Sequence, residues 1–156
     1  MARRLAGRVR GDVLSGAQRV HVFTVERTIE VFHYPAHKAL LGEWLSLCTP
    51  QFRAALMRAN QEAGRLGAKS WLVDLTRDPG VPSAPDLKWI ETDSVKSSVQ
   101  NGVRAVINIH GASALARMGS RRWTKTANAN GMLTYDCVSL DDALELALQV
   151  ANGKAA

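Results

Sequence analysis

The sequence predicts an α/β fold, a mixed β-sheet that opens with an antiparallel hairpin and continues as alternating helices and strands. Three observations lead there. Residues 21–47 are rich in β-branched and aromatic residues with apolar positions at every second residue. From Thr49 the apolar spacing changes to three and four. Beyond Gly67, short apolar runs then alternate with helical patterns, the signature of a sheet with a parallel section. A length of 156 residues suits one domain able to bury about two-thirds of its unfolded surface.

Residues 1–18, rich in Arg, Gly and Ser without a sustained period, are expected to form a flexible basic tail, and 19–153 the domain. The first strand is expected over His21–Thr28. The second follows over Thr28–Ala36, with Ile29, Val31 and His33 on one face and Glu30, Phe32 and Tyr34 on the other. Ala39–Leu47 reads as a third strand, because Gly42 weakens a helix and Leu41, Leu45 and Leu47 alternate with Gly42, Trp44 and Ser46. Pro35 supplies the turn that makes these two a hairpin.

Thr49-Pro50 has the form of a helix start, a hydroxyl cap followed by proline. The stripe Phe52, Ala55, Leu56, Ala59, Ala63 and Leu66 runs to Gly67. A central strand over 70–76 leads through Pro79, Gly80 and Pro82 to a helix at 84–100, whose expected core contacts are Leu87, Ile90 and Val99. Val103–His110 alternates sharply, with Arg104, Val106, Asn108 and His110 on one face. A helix over Ser113–Asn128, a strand over Met132–Val138 and a final helix complete the order. Ser139 and Asp142 have capping-box spacing for that last helix, with Leu140, Ala143, Leu144, Ala147, Leu148 and Ala151 as its inner face.

The net charge of +6 invites a nucleic-acid reading, but its distribution argues against one. Arg3, Arg4, Arg8, Arg10 and Arg19 against Asp12 give the first 19 residues +4, leaving only +2 for the rest. No stretch approaches the ~20 apolar residues of a membrane span, and no apolar run follows the amino-terminal arginines, so neither a membrane partner nor a secretory leader is expected. Cys48 and Cys137 lack metal or redox spacing and read as two reduced, buried thiols of a cytoplasmic protein.

Ser83 has the pattern of a helix cap, with Asp86 three residues on; a phosphate on the same hydroxyl would meet a helix N-terminus. Asp74, Thr76, Asn108 and His110 lie near the carboxyl ends of neighbouring strands, where polar side chains either line a crevice for a small ligand or bond to adjacent loops. Arg121 and Arg122, with Arg117, Lys125 and Trp123, form either a solvated basic face or a contact for phosphate or an acidic partner. Gly111-Ala112-Ser113 departs from the hydrolase elbow at Leu115, and no late histidine completes a triad, so Ser113 reads as a cap. No catalytic group, metal-ligand cluster, phosphate loop or cofactor is expected.

Together these segments resemble the STAS fold, closest to the stage II sporulation protein AA-like (STAS/SEC14-type) proteins. The resemblance covers residues 28–153. It is carried by Glu43-Trp44, Thr49-Pro50-Gln51-Phe52, the strand WLVDLT, Leu87-Lys88-Trp89-Ile90, the strand VRAVINI and SLDDALELAL. It implies a STAS-like sheet and a non-enzymatic regulatory module akin to anti-sigma-factor antagonists, with a regulator or kinase-type protein as partner and a monomer or homodimer as the working form. In the antagonist branch the first serine of Asp-Ser-Ser-Gly is phosphorylated; here Pro82-Ser83-Ala84-Pro85 stands in its place, aligning Ser83 without the aspartate and glycine. The expected docking surface is Asp78, Val81, Ser83, Asp86 and Trp89. The alternative is a carrier or sensor of a small anionic or lipid-like ligand, held by Asp74, Thr76, Asn108, His110, Arg121 and Arg122.

Overall fold

Alternation and helical period produce the expected layers. The computed structural model describes residues 18–110 and 114–154, with the backbone course alone at 114–120. The sheet consists of β1 (Val20–Val25), β2 (Ile29–Tyr34), β3 (Ala39–Trp44), β4 (Ser70–Asp74), β5 (Ala105–Ile109) and β6 (Leu133–Cys137), lying in chain order. β1–β2 and β2–β3 pair antiparallel; the remaining neighbours pair parallel. The helices are α1 (Phe52–Leu66), a composite α2 over 84–100, α3 (Ala114–Ala129) and α4 (Leu140–Ala151).

Each parallel crossover steps one strand in the same direction, and crossovers of one hand then place their helices on one face. The two cores follow from this. Buried residues of α1, α2 and α3 pack with Val31, Leu40, Trp71, Val73 and Val106, whereas Ala143, Leu144 and Ala147 of α4 pack with Leu41, Leu72, Ile107 and Ile109 on the other face. β5 is buried on both sides, as the covered central strand of a parallel section must be. Gly42 is required by this packing: a Cβ there would come within 2.6 Å of the Trp71 ring and 2.9 Å of Ile29.

Several local expectations are corrected. α1 begins at Phe52 with Gln51 as its N-cap; the Thr49 hydroxyl instead bonds that of Thr28 at 2.7 Å, so it is spent on the β1–β2 turn. β3 ends at Trp44. Val99 and Leu148 are 39% and 40% exposed; Val95 and Val150 are buried in their helices. In α2 the inward position next to Val99 belongs to Ser98, because its hydroxyl donates to Asn60 at 2.9 Å. Cys48 is exposed and Cys137 half-buried, since each sits past or at the end of its strand.

Residues 1–17 of the expected tail and Ser113 lie outside the described residues. Arg19, counted with the basic segment, is held on the α4 side of the sheet. Its guanidinium lies 3.6 Å from the Phe32 ring centroid and 3.6 Å from the Glu43 carboxylate. Ser139 caps α4 by accepting from the Asp142 amide at 3.1 Å.

Candidate functional site

The β4–α2 connection is a pinned loop. The Asp74 carboxylate accepts from the Thr76 amide at 2.9 Å and its hydroxyl at 2.7 Å, turning the chain as β4 ends. Asp78 adopts a left-handed conformation, φ 53°. The Leu47 amide donates to Pro79 O at 2.9 Å, and the Cys48 thiol donates to Val81 O at 3.2 Å, fastening the loop to the segment after β3. Pro79 and Pro82 are buried beneath it.

Ser83 then caps α2. Its extended backbone and its hydroxyl, accepting from the Asp86 amide at 3.2 Å, give the predicted start. The Asp86 carboxylate receives Arg53 Nε at 2.6 Å, and the same guanidinium lies 5.4 Å from the centroid of the Trp89 ring. Phe52 meets Trp89 edge-on at 6.3 Å. Asp78 and Ser83 are exposed, while Val81, Asp86 and Trp89 are half-buried. Sequence reasoning missed Arg53, whose place on the outer side of α1 gave no sign that α2 lies across from it.

The expected strand-end crevice divides between the faces of the sheet. Asp74 follows Leu72 onto the α4 side and is joined there by Thr76. Asn108 and His110 lie on the other side, both buried, and converge on Asp136 across the β5–β6 register. Asn108 Nδ2 donates to Asp136 Oδ1 at 3.3 Å, His110 Nε2 lies 2.7 Å from the same oxygen, and Trp123 Nε1 donates to Asn108 Oδ1 at 3.3 Å. Asp136 could have been found from the sequence, as the one acid of β6, two residues from Thr134 on the same face. A histidine 2% exposed against a carboxylate 62% exposed reverses what a base facing solvent-borne substrate requires. Of the arginines, Arg122 is engaged by Glu91 through two bonds of 3.1 Å, and Arg121 is exposed.

Beneath α2 lies an apolar concavity that sequence reasoning did not foresee. Trp44, Trp71 and Trp123 wall it with Phe52, and Val106 and Ala127 complete much of the remainder. Its cavity volume is about 50 Å³, and the space between its walls, open solvent included, is about 530 Å³. Its polar margin is Ser94 and Ser98, held by Asn60: Nδ2 donates to Ser94 O at 3.3 Å and Ser94 Oγ at 3.2 Å.

Burial, more than the nearby acids, pushes the Cys137 thiol up to about 11, which keeps it protonated and weakly nucleophilic. Among the described residues no group of three or more His, Cys, Asp or Glu side chains could hold a metal ion, and no helix is long and apolar enough to cross a membrane. The chain matches no protein-family model, and no curated protein or solved structure is significantly similar to it.

Proposed function

We propose that this protein is a non-enzymatic docking module of STAS type, binding a regulator or kinase-type protein through loop 77–83 and the first turns of α2. The observation that carries the reading is the Trp89–Arg53–Asp86 cluster beside the exposed Ser83. Tryptophan and arginine are the side chains most often decisive in protein interfaces, and here both are held in place before any partner arrives. The pinned loop serves the same end, since a surface already ordered loses little freedom on binding.

Ser83 gives the surface a means of control. A phosphate there adds nearly two negative charges at a helix start, next to the Asp86–Arg53 pair. The test is affinity capture from source-cell lysate with the intact protein, Ser83→Ala, Ser83→Asp and Trp89→Ala. Aspartate is itself a good helix cap, so Ser83→Asp changes the charge while preserving the helix start. The expected result is a partner kept by Ser83→Ala and lost by both Ser83→Asp and Trp89→Ala. Equal capture by all four proteins overturns the reading.

A further inference from the structure

We propose that the concavity beneath α2 is a binding site for a compact, neutral, single-ring aromatic molecule. This stands apart from the docking surface. Three of the chain's four tryptophans form its walls, which offers ring faces and edges from several directions. Among the described residues no charged side chain lines it, so an anion entering would lose its water without gaining a partner from them. The hydroxyls of Ser94 and Ser98 allow one polar substituent at the margin.

Size sets the other limit. The cavity, about 50 Å³, is smaller than the roughly 150 Å³ apolar cavity known to admit benzene. A ring is therefore held partly within it with its remainder in the open part, and an acyl chain over a still smaller share of its length. Among the described lining residues Trp123 is half-buried and the others are buried, which places its ring nearest solvent. Its indole is positioned by the bonds through Asn108 to Asp136, so the residues at the strand ends fix this part of the wall.

A second feature converges on the same place. α2 consists of α-helical Ala84–Trp89, a π-turn at Ile90–Ser94 and α-helical Val95–Gln100. Both ends of the π-turn, Ile90 and Ser94, line the concavity. Such turns are uncommon and concentrate at functional sites. The buried Asn60 amide tethers the end of this turn, bonding both the carbonyl and the hydroxyl of Ser94.

The test is titration of the intact protein with toluene and phenol, read by tryptophan fluorescence and thermal unfolding, with decanoate and inorganic phosphate in parallel. The ring compounds should give saturable fluorescence changes and, at ten times Kd, raise Tm by about 3–6 °C. Ala127→Leu places three more carbons in the wall and should weaken binding at least tenfold; Val106→Ile, a gentler filling, should weaken it in the same direction. No saturable response to either ring compound overturns the proposal. So does undiminished affinity in the filled variants, or tighter binding of decanoate or phosphate than of the rings. The wild-type titration decides the matter even where a filled variant fails to fold.

Discussion

Glu43 occupies the middle of a row of acids that the register creates. It pairs across β2 with Glu30 and across β4 with Asp74, so three carboxylates lie side by side on the α4 face. Burial pushes its pKa up, and although Arg19 pulls the other way, burial prevails. The folded protein thus holds this proton more tightly than the unfolded chain. Its contribution favours folding at low pH and is lost as pH rises from the ordinary glutamate range through the raised folded value. Glu43→Gln, neutral at every pH, should therefore raise Tm at pH 7, with the difference shrinking toward pH 4; a lowered Tm at pH 7 would mean that the Arg19 pair dominates. The Glu43–Glu30 pairing was within reach of the sequence, because it requires only hairpin register. Asp136 was legible as the one acid of β6, but its convergence with Asn108 and His110 also needs the register of two parallel strands joined by a whole helix.

At the scale of elements, helix caps and alternation were legible, and the π-turn was not. Ser83 and Ser139 cap their helices as the spacing of Asp86 and Asp142 implied. Thr49 did not, because a tertiary partner, Thr28, competed for its hydroxyl. The weak amphipathic pattern of 84–100 did contain a signal. Serines at 94 and 98 face inward only because Asn60, a polar residue in the apolar stripe of α1, meets them. Asn60→Ala should strand these buried groups and cost about 1–3 kcal/mol, read by urea unfolding. An unchanged midpoint would show that the π-turn stands without its α1 support.

Across the described molecule, the sequential strand order puts three of the described helices on one face and one on the other. That asymmetry follows from the spatial strand order, which the order of elements along the chain leaves open, since only crossovers that all step one way keep their helices together. It also explains why the loop after β4, the start of α2 and the concavity beneath α2 fall on the same side of the sheet. The STAS resemblance supplied the expectation of a docking module; the Trp89–Arg53–Asp86 arrangement is what this chain itself offers in support of it. Amide hydrogen exchange on the free protein and on its complex with the captured partner tests that central claim most directly. The account predicts that slowed exchange centres on residues 77–90. Protection confined to β1–β3 or α4, with 77–90 exchanging as in the free protein, would contradict it.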